Sequence, residues 1–180
     1  EAKTVQSVAS TVAGLLADAG IRTSTIGDED VERGALADYD FAIFPYNPNM
    51  SDEEVAAIRE YVDGGGHIMA FYSLHAGLGE ILGVRGVGWQ QQEYEGQMSE
   101  IRFEDAAEFQ GLPEAVTQRS WNLTVVEPTE GARVIGWWYD GEGNRTDLPA
   151  FVASDAGLYM SHILTETGRP AKQRMLVAID

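Results

Sequence analysis

The sequence contains no cysteine. That absence excludes a disulfide framework, a thiolate nucleophile and any zinc or iron–sulfur site built on cysteine. It says nothing of compartment, since exported and intracellular proteins alike can do without the residue. Lysine is nearly absent too: of the 12 basic residues only Lys3 and Lys172 are lysines, and the rest are arginine. Against them stand 29 acidic residues, for a formal net charge of −17. A surface of that sign repels phosphate backbones and anionic lipid headgroups. No local basic patch offsets it, so neither nucleic acid nor a membrane is expected as a partner. Such acidity suits a high-salt environment, and an acidic, arginine-preferring proteome accounts for it equally well. No run approaches the ~20 apolar residues of a membrane span. The opening Glu1-Ala2-Lys3-Thr4 lacks the basic-then-apolar pattern of a signal peptide, so an exported or periplasmic location would require a signal upstream of Glu1.

What is present suffices for a core: 180 residues, 44% of them hydrophobic, with no internal repeat and no Pro- or Ser-rich linker. Residues 1–180 are therefore expected to form one domain. Val5, Val8, Val12, Leu15 and Leu16 recur at helical spacing and stop at Gly20. Ile21 to Ile26 alternates as a short strand would. Phe41-Ala42-Ile43-Phe44 is a continuous apolar run, the pattern of a strand buried on both faces. Ser51 with Glu54 three residues on forms a capping box, opening a helix whose stripe is Val55, Ile58, Tyr61 and Val62. Gly64-Gly65-Gly66 ends it, and His67 to Tyr72 is a second buried strand. Strand, helix and strand make a βαβ unit with parallel strands.

A short helix over 77–82 follows. Beyond it the chain is turn-rich and strand-like, with strands expected at 100–103, 121–126, 133–139, 149–153 and 158–162 and a closing helix at 171–179. The fold class is therefore α/β: a flavodoxin-like three-layer sheet, parallel in the first half and extended antiparallel in the second. Folds of this kind usually open with a central strand, whereas this sequence opens in a helix. Either the strand lies upstream of Glu1, making the chain part of a longer polypeptide, or the sheet is built without it.

Ligands of open parallel sheets sit beyond the carboxyl ends of the strands. Here that places Tyr46 and Asn47 after the first strand, and Tyr72, Ser73 and His75 after the second, as ligand-binding candidates. The first loop reads equally as a rigid strand-to-helix connection. Ser73 occupies a strand-to-helix turn where a nucleophile could stand, but the G-x-S-x-G pattern is missing. Its candidate base is His162, with Glu166 able to orient the ring. Asp140-Gly141-Glu142-Gly143-Asn144 has the alternating oxygens of a calcium loop, yet Arg145 and Phe151 stand where such a loop needs glycine and glutamate. A hairpin turn explains it better, and neither a metal nor a cofactor is expected. Trp89, Trp121, Trp137 and Trp138 could stack on sugars or pack in the core. Trp137 and Trp138, being adjacent, should point to opposite faces of their strand.

The segments Tyr39-Asp40-Phe41-Ala42-Ile43-Phe44-Pro45, Ser51-Asp52-Glu53-Glu54, Tyr61-Val62-Asp63-Gly64-Gly65-Gly66 and Leu78-Gly79-Glu80-Ile81-Leu82-Gly83-Val84 resemble the class I glutamine-amidotransferase-like domains attached to glycoside hydrolases. They look most like the trimerisation domain of family 42 β-galactosidases and domains linked to family 10-like glycosylhydrolases. The tail, Gly157-Leu158-Tyr159-Met160-Ser161-His162 and Ala171-Lys172-Gln173-Arg174, looks like the closing strand and helix of those domains. ThuA-like proteins share the scaffold and its Gly-rich turn. The resemblance implies a cysteine after the strand at 67–72 and a His-x-Glu after the last strand. Here Tyr72 or Ser73 stands at the first place, and His162 is followed by Ile163 and Leu164. Glutamine hydrolysis by the family mechanism is thus excluded. The resemblance implies a non-catalytic accessory domain of a carbohydrate-active protein, serving oligomerisation or ligand binding. Its partners would be a fused glycoside hydrolase domain, further copies of itself or a carbohydrate. The alternatives are a Ser73/His162 hydrolase acting on a carbohydrate-related substrate and a stand-alone sugar-binding module.

Overall fold

A computed structural model of the chain describes residues 2–179. The first helix, α1 (Ala2–Asp18), buries Val8, Val12, Leu15 and Leu16. Helix α2 (Asp28–Glu32) and a 3-10 turn at Ala35–Asp38 lead into β1 (Phe41–Phe44). Helix α3 (Asp52–Asp63) begins at the expected capping box: Ser51 Oγ accepts from Glu54 N at 3.0 Å, and Glu54 Oε2 accepts from Ser51 N at 2.9 Å. Strand β2 (His67–Phe71), helix α4 (Ala76–Leu82) and strands β3 (Val84–Gln91), β4 (Met98–Phe103), β5 (Ala115–Ser120) and β6 (Asn122–Pro128) follow. The chain closes with β7 (Arg133–Tyr139), β8 (Arg145–Ser154), β9 (Gly157–Met160) and α5 (Arg169–Ile179).

Seven strands form one sheet in the order β1-β2-β9-β8-β7-β4-β5. The pairs β1–β2 and β2–β9 are parallel, and every pair from β9 to β5 is antiparallel. The expected parallel half with an antiparallel extension of the same sheet is thus the architecture found. Strands β3 and β6 form a separate antiparallel ribbon. Helices α1 and α5 pack on one face with Met69, Phe71, Leu158 and Met160; α2, α3 and α4 pack on the other with Ile68, Ala70 and Tyr159, giving three layers. Gly157 is where β9 first touches β2: its φ is +137°, and a Cβ there would lie 1.8 Å from the Ile68 carbonyl oxygen, so only glycine fits.

Two expectations at this end of the sheet need correction. Ile21 to Ile26 is no strand. Ile21 packs with the α1/α5 core and Ile26 with the opposite one, so the segment carries the chain from one face of the sheet to the other instead of lying in it. Strand β1 is the sheet's edge, paired only with β2, and of its residues only Ala42 is fully buried.

Candidate functional site

The carboxyl ends of β1, β2 and β9 meet at Tyr72. It follows β2 directly with φ of +60°, a left-handed conformation that costs a non-glycine residue about 1–2 kcal/mol. Several contacts hold it there. Tyr72 N donates to Met160 O at 2.8 Å, and Ser73 N closes a tight turn onto Phe71 O at 2.7 Å. The Tyr72 carbonyl accepts two hydroxyls, Thr124 Oγ1 and Tyr159 Oη, each at 2.7 Å. Its phenol Oη accepts from Trp89 Nε1 at 2.9 Å. A sharp, strained turn between a strand and a helix is the geometry of a nucleophile elbow. Of the two residues considered for that position, Tyr72 is the one that carries the strained conformation.

His162 lies after β9 and is 1% exposed. Its ring packs edge-on against Tyr72, centroids 5.5 Å apart, and against Trp121 at 4.9 Å. Nδ1 donates to the Ile163 carbonyl at 2.8 Å, which also accepts Gln118 Nε2 at 2.6 Å. Burial drives the imidazole pKa down to about 4; the Ile163 carbonyl opposes this and the Lys172 charge reinforces it. The ring is therefore neutral at neutral pH. Glu166, expected to orient it, is instead bound by Arg169, which also reaches Asp18. The turn after Thr165 carries the carboxylate toward the start of α5, and the orienting acceptor is a backbone carbonyl.

Behind the imidazole lies a buried polar network. Lys172, fully buried, donates to Thr165 O at 2.7 Å and to Thr165 Oγ1 at 2.9 Å. Thr165 Oγ1 donates in turn to Gln118 O at 2.8 Å. No carboxylate bonds to Lys172 among the described residues, and burial lowers its pKa to about 7, with Glu166 opposing. Gln118 did not stand out in the sequence, and Lys172 did so only as one of two lysines and as part of the closing helix, not as a member of a polar network. Gln118 lies on β5, whose Ala-Val-Thr-Gln-Arg-Ser has too few apolar residues to signal a strand, although Val116, Gln118 and Ser120 alternate as its buried face.

The loops after β1 and β2 line a cleft of about 420 Å³ built by Asn47, Pro48, Met50, Ser73, Leu74, His75 and Ala76. Asn47 is held by its own loop: Nδ2 donates to Glu54 Oε1 at 2.9 Å, and Oδ1 accepts from Asn49 N at 3.3 Å. Glu54 is 2% exposed, and burial raises its pKa despite the Ser51 amide and the Asn47 side chain. His75 caps α4, its Nδ1 accepting from Gly77 N at 3.2 Å, while Nε2 lies 3.3 Å from Asp52 Oδ1. Tyr46 sets its ring 6.0 Å from that of Tyr72. The structure thus gathers Tyr46, Asn47, Tyr72, Ser73 and His75 at one end of the sheet. No hydrogen bond joins His162 to Tyr72 or Ser73 among the described residues.

The β3–β6 ribbon covers the elbow. Thr124 N donates to Ser161 O at 3.0 Å, and the Trp89 indole reaches the Tyr72 phenol. Trp89 is 58% exposed and Trp121 48%. The ribbon strand β3 was not foreseen, because Gly86, Gly88 and the three glutamines break any alternating pattern. Asp140 to Asn144 is the β7–β8 hairpin turn, with Asp140 accepting from Glu142 N at 2.9 Å and Asn144 N at 2.8 Å. Among the described residues no group of three or more His, Asp or Glu could hold a metal ion, and no helix is long and apolar enough to cross a membrane.

No family model and no curated protein matches the sequence. Solved structures do resemble it. A ThuA-like protein from Bacteroides uniformis aligns with a TM-score of 0.69 at 12% identity, over 97% of this chain and 81% of that one. A cytoplasmic protein from Salmonella typhimurium gives 0.69 at 15% identity, over 94% and 84%. Alpha-L-fucosidase isoenzyme 2 from Paenibacillus thiaminolyticus gives 0.68 at 15% identity over 96% of this chain, which spans only 28% of the fucosidase chain. At such identities the likeness is one of fold, and with the three layers, the parallel β1-β2-β9 core and the elbow after β2, it establishes that this chain has the class I glutamine-amidotransferase-like fold.

Proposed function

We propose that the chain is a non-catalytic, amidotransferase-like accessory domain of a carbohydrate-active protein, and that it binds a ligand at the carboxyl ends of β1, β2 and β9. The observation that carries this is the occupancy of the elbow. Its side chain is a tyrosine whose phenol accepts from Trp89, and the nearby imidazole faces it edge-on without a hydrogen bond. Nucleophilic catalysis needs a nucleophile and a base within about 2.6–3.2 Å and a third group orienting the base. Here the third group is a peptide carbonyl and the pair is not joined. The likeness to part of a fucosidase chain supports placing the domain in a longer polypeptide beside a glycoside hydrolase module.

Purified chain should not turn over glutamine, nitrophenyl esters or nitrophenyl glycosides. Turnover abolished by Ser73→Ala or His162→Ala would replace this reading with the hydrolase one. Self-association is the second reading, favoured by Val87, Trp89, Tyr94 and Trp121, which stand exposed on or beside the ribbon. Light scattering of the purified chain distinguishes it.

A further inference from the structure

We propose that Trp89 and Trp121 are the stacking platform of this site and that its ligand is an uncharged, pyranose-containing saccharide. The proposal rests on the ligand-binding reading above and names the ligand's chemistry. Its first support is a contrast within the molecule. On β7 two aromatic rings are covered: the Arg145 guanidinium lies 3.9 Å from the Trp137 ring centroid and that of Arg102 4.4 Å from Tyr139. Trp138 is buried, its indole donating to Ser161 Oγ at 2.9 Å. No such cap covers Trp89 or Trp121 among the described residues.

Both half-exposed rings are anchored. Trp89 is tied through Nε1 to the Tyr72 phenol, and Trp121 packs at 84° against the His162 ring, centroids 4.9 Å apart. Anchored rings are pre-organised, so little rotamer freedom is lost on binding. Trp121, His162, Tyr72 and Tyr46 make successive ring contacts. Next to them the 420 Å³ cleft offers the polar side chains of Asn47 and Ser73. A flat apolar face beside a few fixed polar groups matches the apolar C–H face and hydroxyl rim of a pyranose.

Charge narrows the ligand further. None of the residues in these ring contacts or lining the cleft is Lys or Arg. His162 is neutral, and the chain as a whole carries −17, so an anionic ligand finds no partner there.

The test is calorimetric titration of the full chain with neutral gluco-, galacto-, xylo- and fuco-configured oligosaccharides, with glucuronides and choline as charged arms. At least one neutral saccharide should bind. Trp89→Ala and Trp121→Ala should each weaken it about tenfold or more with unchanged circular dichroism. Trp121→Phe should recover part of the affinity, and Trp137→Phe should leave it intact. No binding by any neutral saccharide, or binding indifferent to both alanine variants, overturns the assignment while leaving a non-catalytic domain in place. Turnover of a test substrate would instead remove the functional reading beneath it. Preference for choline or for glucuronides overturns the neutral ligand. An oligomer that Trp89→Ala or Trp121→Ala dissociates makes the platform an interface.

Discussion

The four tryptophans meet two fates. On β7, Trp138 is sealed in the core and Trp137 lies beneath a guanidinium; on and beside the β3–β6 ribbon, Trp89 and Trp121 stand about half exposed. With only 12 basic residues in a chain of −17 charge, the two placed over rings both serve the antiparallel half. The antiparallel half thus spends its aromatics on stability, and the carboxyl end of the parallel half displays them. That division supports the reading that proposes a ligand site at the elbow.

The strongest way to break the comparison is to exchange the roles. Trp138→Ala should destabilise the chain by about 3–5 kcal/mol in urea denaturation, as removal of a buried indole does. Trp121→Ala should stay within about 0.5 kcal/mol. Losses of similar size in both would show that Trp121 belongs to the core.

A second expectation concerns the imidazole between the two regions. The folded pKa of His162 is about 4, below the ordinary 6.5. Between those values the unfolded chain binds a proton that the folded chain does not. The contribution is therefore complete above pH 6.5 and lost as pH falls through about 4, a difference of roughly 3 kcal/mol. Comparing the pH dependence of unfolding in the parent and His162→Gln isolates this from the carboxylates, and identical profiles would count against a buried neutral ring. Lys172 has the same sign in a higher window: its pKa is lowered from 10.5 to about 7, so stability rises with pH across that interval. Lys172→Met should flatten the rise.

A smaller effect tests the first half of the scaffold. Ser51→Ala removes the side-chain acceptor of the α3 capping box and should cost about 1 kcal/mol. Because Glu54 also holds Asn47, the same change should loosen the cleft loop, seen as faster amide exchange at Asn49. Loss of stability without faster exchange would separate the cap from the loop.

Where local chemistry decides structure, the sequence was readable. The Ser51/Glu54 box, the β1–α3–β2 unit, the Asp140 turn and the span of β7 follow from side chains within a few residues of one another. Where distant partners decide, it was not. Ile21 to Ile26 alternates like a strand but lies in no ladder, so side-chain period alone could not make it one. β5 reads as polar because Gln118 is buried by bonds to Ile163 and Thr165, far along the chain. His162 was visible as a residue of interest. Its company of Tyr72, Trp121 and a peptide carbonyl was not, and Glu166, near in sequence, turned out to serve Arg169.

The division between covered and half-exposed rings is tested most directly by the four indole N–H resonances in a heteronuclear NMR titration with the neutral saccharide that binds best. Trp89 and Trp121 should shift with ligand while Trp137 and Trp138 stay in place; shifts confined to Trp137 and Trp138, or none at saturating ligand, would contradict a ligand platform at the elbow.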